Sequence, residues 1–262
     1  MINIDEVISK YVDSPKLFEK AVEDVEIFGV RVLASKREDI LHEIVKILLS
    51  NRKAFIVTLN AQILDRALRD KEYLNIIRTA DLVVPDGEGV VWASKILTGK
   101  KLHKTPGVEL IEDISRVVTS LNRSIFLLGG KEGVAKLAGK RLNEKYGVKI
   151  SGSYHGFFDI EEEERIVQII NSTKADVLFV GMGVPKQEKF IMKYWDSLKV
   201  KIAMGVGGSF DVISGVKKRA PKTIIDLKLE WLYRIFQDPL KKWKVPFELL
   251  HFAYRVLREK MR

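Results

Sequence analysis

One acidic side chain stands where it could act as a general base. Asp86 lies in the sequence VVPDGEGVVWA (83–93), where Pro85 ends an apolar run and glycines follow at 87 and 89. A carboxylate can take a proton from a substrate hydroxyl once it reaches hydrogen-bonding distance, and glycines leave room for that approach. The alternative is structural, because Pro-Asp-Gly also suits a turn or the start of a helix.

Further polar residues follow other apolar runs in the same way. If these runs are parallel strands, their carboxyl ends meet at one crevice, where ligands bind in open α/β sheets. For Thr58 and Asn60 the alternative role is capping the next helix. For Asp211 a cap or an ion pair with the basic tail is favoured. The set comprises Thr58, Asn60, Gln62, Asp86, Gln187, Glu188, Ser209 and Asp211.

Glycine pairs end three apolar runs, in FLLGGKEG, LFVGMGVP and AMGVGGSFD. Glycine lets the backbone approach a phosphate, and the helix that follows offers free N–H groups. Three such turns predict a nucleotide or sugar-phosphate site. Neither G-x-G-x-x-G with a following acid nor G-x-x-x-x-G-K-[ST] occurs, so a standard NAD site or P-loop is disfavoured. The glycines concerned are Gly129, Gly130, Gly181, Gly183, Gly207 and Gly208.

Metal chemistry has little support, because the histidines are far apart and none has a paired spacing. One falls in a helical pattern and is interpreted as structural, and those at 103 and 155 could approach a ligand from predicted loops. No Asp-x-Asp occurs, and Asp86-Gly-Glu88 as a Mg²⁺ site stays open as an alternative. The histidines are His42, His103, His155 and His251.

Strand-like apolar runs alternate with helical patterns through most of the chain. The runs are AFIVTL (54–59), DLVV (81–84), SIFLLGG (124–130), VKISGSY (148–154), ADVLFVGMG (175–183) and VKIAMGVGG (200–208), and all but the last precede a helical pattern. Continuous apolar strands between helices predict an α/β, Rossmann-like fold, with a mostly parallel sheet and helices on both faces.

The composition indicates an ordered globular protein. The chain has 262 residues, is 46% hydrophobic and contains no cysteine, which excludes disulfides, thiolate metal sites and a cysteine nucleophile. No signal-peptide core and no apolar run of about 20 residues occurs, so we expect a soluble, cytoplasmic protein.

The positive charge is concentrated in the tail. Residues 212–262 hold 13 Lys and Arg against 5 Asp and Glu, a net +8 of the chain's +10. Helical spacing there places apolar residues in one stripe with arginines beside it, which suits an anionic membrane surface. Packing on the core and nucleic-acid binding are the alternatives. The stripe comprises Phe247, Leu250, Tyr254, Leu257 and Met261.

Several ordered motifs resemble the WecG/TagA/CpsF glycosyltransferases: VTLNAQIL, ADLVVPDGEGVVWA, PGVEL, FLLGG, YHGFF, LFVGMGVPKQE, GVGGSFDVISGVKKRAP and LEWLYRIFQDP. The resemblance runs from about Ile27 to the C-terminus. We therefore divide the chain into an extension (1–26), an α/β catalytic domain (27–211) and a basic helical appendage (212–262).

The resemblance implies an inverting transfer of an N-acetylmannosamine-type sugar from UDP to N-acetylglucosamine on undecaprenyl diphosphate. Asp86 would take the proton of the acceptor's 4-hydroxyl, with Thr58 and Asn60 nearby and Gln187 contacting substrate. The glycine turns would hold UDP without a metal or other cofactor. The donor could equally be the uronic acid of that sugar, and no residue here distinguishes the two.

The resemblance also implies anion-binding residues and a membrane anchor. The family usually has an arginine shortly before the glycine matching Gly107, and here Lys104 is the nearest base; a lysine lacks arginine's bidentate fork. Arg219, Lys222 and Arg234 are candidates to contact a diphosphate. The appendage would hold the enzyme at the inner face of the cell membrane, with no nucleic-acid partner and with homo-oligomers as an open alternative. Two other functions stay open: a non-catalytic nucleic-acid-binding protein and a metal-dependent nucleotide-sugar enzyme.

Overall fold

A six-stranded parallel sheet forms the centre of the molecule, as the sequence predicts. This computed structural model describes residues 2–13 and 23–262, so residues 1 and 14–22 of the predicted extension lie outside the described residues. Its strands are β3 (Ala54–Leu59), β4 (Leu82–Pro85), β5 (Ser124–Gly129), β6 (Lys149–Tyr154), β7 (Val177–Gly181) and β8 (Ile202–Gly205). Their order across the sheet is β4-β3-β8-β7-β5-β6.

Helices cover both faces of this sheet, so the hydrophobic core has two layers. Successive residues of β3 point to opposite faces, with Phe55 and Val57 in one cluster and Ile56 in the other. The helices before the tail are α1 (Ile4–Asp13), α2 (Arg37–Leu49), α3 (Ala61–Ala67), α4 (Lys71–Thr79), α5 (Glu88–Thr98), α6 (Gly107–Ser120), α7 (Val134–Tyr146), α8 (Glu163–Ser172), α9 (Lys186–Lys193) and α10 (Ser209–Ile213).

Two local features differ from the sequence patterns. The segment NAQILDRALRDKEYLNII reads as one helix, but it forms two. Helix α3 ends at Ala67, and Asp70 caps α4 by accepting from the Tyr73 N–H at 3.1 Å. An antiparallel hairpin, β1 (Asp24–Ile27) and β2 (Val30–Leu33), was not predicted at all.

The tail folds back onto the α/β unit as four helices. They are α11 (Lys222–Asp226), α12 (Glu230–Gln237), α13 (Pro239–Lys242) and α14 (Val245–Lys260). Phe252 and Val256 of α14 are buried in the core, whereas the predicted stripe of Phe247, Leu250 and its three partners is exposed. The stripe therefore does not pack on the core. Within the described ranges, no helix combines the length and the apolar character that crossing a membrane requires.

The anchoring of α14 can be tested by stability. Phe252→Ala should lower the free energy of unfolding by about 3–5 kcal/mol, because a buried aromatic side chain leaves a cavity. Phe247→Ala on the same helix removes a side chain that is 65% exposed, against 2% for Phe252, and should change stability by about 0.5 kcal/mol or less. Urea denaturation of both variants would measure this, and equal losses would contradict the packing of α14 described here.

Candidate active site

Asp86 follows β4 at the carboxyl edge of the sheet, where two glycines shape the chain. Its backbone N–H donates to the Leu59 carbonyl at 2.7 Å, which ties the turn to β3. Gly87 has φ +125°, a conformation that essentially only glycine adopts, and is the N-cap residue of α5. A Cβ on Gly89 would lie 2.7 Å from that of Ala61, so α5 and α3 begin side by side.

The start of α6 faces the Asp86 carboxylate. A Cβ on Gly107 would lie 3.5 Å from both Asp86 Oδ2 and Thr58 Oγ1, so the three residues meet. Thr58 is buried and donates its hydroxyl hydrogen to the Gly205 carbonyl at 3.0 Å. Thr58 therefore links β3 to β8 directly beside the carboxylate.

Asn60 serves as a helix cap and also reaches the site. Its Oδ1 accepts from the Ile63 N–H at 3.0 Å, which is the capping role weighed in the sequence. Asn60 also lines the cavity that contains Asp86. The residue at the N-cap position of α5 is Gly87, which directly follows Asp86 in the sequence.

Two adjoining cavities meet at Asp86. The first, of about 340 Å³, is lined by the glycine turns and by Gln187, and the second, of about 320 Å³, by lysines and apolar tail residues. Asn60, Gln62, Asp86, Glu230 and Lys242 line both. The first also includes Thr58, Arg66, Gly107, Gly183, Gly207, Gly208, Arg219 and Glu248, and the second Glu88, Lys104, Lys228, Trp231, Val245 and Leu249.

In the lining of the second cavity, the carboxylate of Glu88 lies between two lysines. The Nζ atoms of Lys104 and Lys228 lie 2.8 and 3.2 Å from the two oxygens of Glu88. Burial opposes the charged form, but hydrogen bonds and charge from both lysines prevail and lower the pKa of Glu88 below its ordinary value. Both oxygens are thus engaged by cations, which disfavours the Asp86-Gly-Glu88 metal site. In the described part of the chain, no three Asp, Glu or His residues form a group that could hold a metal ion.

Some predicted glycines lie behind the cavities rather than in them. Gly129 has φ +144°, and a Cβ there would lie 2.4 Å from the Gly181 carbonyl oxygen. A Cβ on Gly181 would in turn lie 2.9 Å from the Gly207 carbonyl oxygen. Gly129, Gly130 and Gly181 line neither cavity, so here glycine permits close packing of neighbouring strand ends.

The remaining predicted residues are dispersed. Arg219 lines the first cavity and pairs with Glu109 of α6. Lys222 is exposed and lines neither cavity, and the Arg234 side chain lies outside the described part of the structure. Asp211 pairs with Lys217 of the tail at 3.3 Å, as favoured from the sequence.

The histidines also lie apart from the cavities. His103 is exposed, and His155 lies at a separate depression with Lys131 and Phe157. His251 contacts the buried Asp65 at 2.7 Å.

Sequence reasoning missed several lining residues. Arg66 stands one helical turn after Gln62 on α3, so helical periodicity could have found it. Lys228, Glu230, Trp231 and Lys242 reach the site only because the tail folds back, and no local pattern predicts that.

The chain is similar in sequence to known proteins. The sequence profile of the "Glycosyl transferase WecG/TagA/CpsF family" matches residues 25–262. A Staphylococcus aureus (strain MRSA252) protein named N-acetylglucosaminyldiphosphoundecaprenol N-acetyl-beta-D-mannosaminyltransferase is 39% identical over 195 residues, 74% of this chain and 75% of that protein. Its counterpart of the same name in strain MW2 is 38% identical over the same share of both chains. The match covers both cavities and the folded-back tail, and this chain belongs to the WecG/TagA/CpsF family of glycosyl transferases.

Proposed function

We propose that this protein transfers N-acetylmannosamine, or its uronic acid, from UDP to N-acetylglucosamine carried on undecaprenyl diphosphate. The observation that carries the proposal is the position of Asp86, a carboxylate lining two adjoining cavities of different character. Two substrates held in those cavities would meet at this side chain. The names of the relatives state the transferred sugar and the lipid-linked acceptor.

The first cavity suits the sugar nucleotide. Gly107, Gly183, Gly207 and Gly208 line it, so backbone N–H groups can approach phosphate oxygens without interference from side chains. The N-terminus of α6 begins at Gly107 and adds the positive end of a helix dipole. Arg66 and Arg219 supply full positive charge at the same wall.

The second cavity suits the lipid-linked acceptor. Lys104, Lys228 and Lys242 can neutralise a diphosphate, and Trp231 offers a flat apolar face to a sugar ring. Val245 and Leu249 continue this wall toward the exposed stripe of α14. A substrate with a charged head and an apolar chain would contact the lysines with its head and the adjoining apolar wall with its chain.

The chemical step is a single displacement. Asp86 removes the proton from the acceptor hydroxyl while that oxygen forms a bond to the anomeric carbon of the donor sugar. The bond from that carbon to the phosphate oxygen of UDP breaks, and UDP leaves with the electron pair. Attack from the side opposite the leaving group inverts the anomeric centre. Arg66, Arg219 and the N-terminus of α6, which line the first cavity, would stabilise the charge on departing UDP, so the step needs no metal ion.

The tail would hold the enzyme on the inner face of the cell membrane. The exposed apolar stripe of α14 lies beside Arg258 and Arg262, and each base near an anionic leaflet contributes about 1 kcal/mol. Such docking would bring the second cavity to a substrate that cannot leave the bilayer.

The test is UDP release from UDP-N-acetylmannosamine in EDTA, with and without a soluble lipid-diphosphate-linked N-acetylglucosamine. We expect release only with the acceptor, and we expect EDTA to leave the rate unchanged. The uronic-acid donor, assayed in parallel, identifies the preferred sugar from the higher kcat/KM. Absence of acceptor-dependent release with either donor would contradict the transferase, and a rate restored only by Mg²⁺ would contradict the metal-free step.

A further inference from the structure

A buried carboxyl group lies directly behind the first cavity. Glu188 of α9 is 1% exposed, as is its neighbour Gln187, whose side chain lines the cavity. The family resemblance implies that Gln187 contacts substrate, and the proposed mechanism gives Glu188 no role. A buried acid costs folding free energy unless its oxygens are hydrogen-bonded, so its presence here requires an explanation.

The Gln187 amide is held by both of its ends. Its Nε2 donates to Glu188 Oε1 at 2.6 Å, and its Oε1 accepts from the Gly207 N–H at 2.9 Å. A Cβ on Gly205 would lie 2.7 Å from that Nε2, so the two side chains occupy the space that this glycine leaves open. The contacts join α9 to the glycine turn after β8.

Tyr73 of α4 holds Glu188 from the opposite side. Its hydroxyl donates to Glu188 Oε2 at 3.1 Å and is itself fully buried. Burial and the neighbouring Glu188 raise the pKa of Tyr73, so the phenol stays protonated and remains a donor. Each oxygen of Glu188 thus accepts a hydrogen bond from a different element.

We propose that Glu188 is a positioning residue for the transfer: its carboxylate sets the orientation of the Gln187 amide and, through it, the Gly207 turn that faces the sugar nucleotide. An ionised carboxylate only accepts, so Gln187 must turn its NH₂ group to Glu188 and its oxygen to Gly207. A protonated acid or an amide at position 188 can donate, which removes this constraint. The inference rests on the proposed function for its kinetic consequence but not for the orientation itself.

The arrangement should respond to pH near neutrality. Burial raises the pKa of Glu188 to about 7, against hydrogen bonds from Gln187, its own backbone and Tyr73. Two other charged groups act on Tyr73, the hydrogen-bond donor to Glu188. Arg66 lowers the pKa of Tyr73 and Asp70 raises it. Since the ionised form holds Gln187, the orienting effect should be present above pH 7 and lost as pH falls below it.

The first test reads the orientation without any substrate. In ¹⁵N-labelled protein, the Gln187 side-chain NH₂ and Gly207 N–H signals should shift together with a midpoint near pH 7. Tyr73→Phe should raise that midpoint by roughly one pH unit, because the ionised carboxylate of Glu188 loses the hydrogen bond that the Tyr73 hydroxyl donates to it. Signals that do not titrate between pH 5.5 and 9 would overturn the proposal, whatever the enzyme assay shows.

The second test reads the consequence in turnover. The pH at which kcat/KM for the donor falls on the acid side should rise in Tyr73→Phe by the same amount as the NMR midpoint. In Glu188→Gln this fall should be absent. At pH 8 Glu188→Gln should also lose about tenfold in kcat/KM, the equivalent of one charged hydrogen bond. Tyr194→Phe is the matched control, because that hydroxyl donates to Glu163 at 3.2 Å and Tyr194 lines neither cavity.

The outcomes separate the inference from the proposed function. The positioning role would be overturned if the pH profiles of kcat/KM for Tyr73→Phe and Glu188→Gln superimposed on the profile of the unmodified protein. Tyr194→Phe should superimpose on it in either case. Titrating NMR signals in a protein that shows no transfer would overturn the proposed function and leave the orientation by Glu188 supported. Since Tyr73→Phe keeps the buried ring, it tests the idea even if Glu188→Gln fails to fold.

Discussion

Asp86→Asn should lower kcat about a thousandfold, the size expected for loss of a positioned general base. Asparagine has nearly the same shape but cannot take the acceptor proton. UDP affinity should stay within about threefold, because the carboxylate lies at the junction of the cavities and the glycine turns lie in the first of them. Turnover with the soluble acceptor and calorimetric UDP binding measure the two effects separately.

The control for Asp86→Asn is the same exchange at Asp211. That carboxylate follows the same edge of the sheet, pairs with Lys217 and lines neither cavity. Asp211→Asn should keep at least a third of the activity. If Asp86→Asn retained more than a tenth of the rate, or lost UDP affinity in step with its rate, Asp86 would be a binding residue and the base would have to be sought elsewhere.

Replacing Phe247 and Leu250 together by glutamate should abolish sedimentation with anionic liposomes. Both side chains are exposed on α14, and inserting each into a bilayer contributes about 1.5–3 kcal/mol. Losing both should reduce the partition coefficient at least a hundredfold, and the new negative charges add repulsion. Turnover of a soluble acceptor should change little, because neither residue lines a cavity.

The matched change for the tail variant is Leu137→Glu on α7, an exposed leucine on a different element. It should leave sedimentation unaltered. Liposome binding that survived the double exchange would contradict the anchoring role of the stripe. An electrophoretic shift of an oligonucleotide by the unmodified protein, with no liposome binding, would favour the nucleic-acid alternative.

The strands and their parallel orientation follow from local patterns, whereas their order in the sheet does not. Each strand of the sheet except β6 is buried along its whole length and mostly apolar, and such strands pair only where both faces of the sheet are covered. The hairpin of β1 and β2 was missed because its strands are four residues each and its turn, Phe28-Gly29, lacks the usual Asn-Gly or Asp-Gly signal.

The site residues that the sequence predicts without the family resemblance lie at or shortly after strand ends. Thr58, Asn60, Asp86 and Gln187 do so, and the structure brings them together around the first cavity. Lys104 and Arg219, which also line the cavities, were predicted from the resemblance alone. Glycine at a strand end was less informative. It indicates that something approaches the backbone closely, but at Gly129 this is the neighbouring strand β7, and at Gly181 it is the turn after β8 and Phe210, rather than a ligand.

The second cavity depends on contacts that are distant in sequence. Lys228 and Trp231 stand well over a hundred residues from Glu88, and their approach is decided by how the tail packs on α3 and α5. Charge and aromatic content indicate an interaction surface in the tail, but they do not say which residues turn inward.

The two faces of α14 have a geometric consequence. Phe252 fixes one face to the α/β unit, and the stripe with Phe247 forms the other. With that stripe on the bilayer, as proposed, the helix becomes a spacer about 10 Å thick between the lipid surface and the protein body. Its thickness would set the height of Asp86 above the membrane. An acceptor would react only if its head group extends from the bilayer as far as Asp86. The enzyme would therefore select its lipid substrate by the length of the head group as well as by its chemistry.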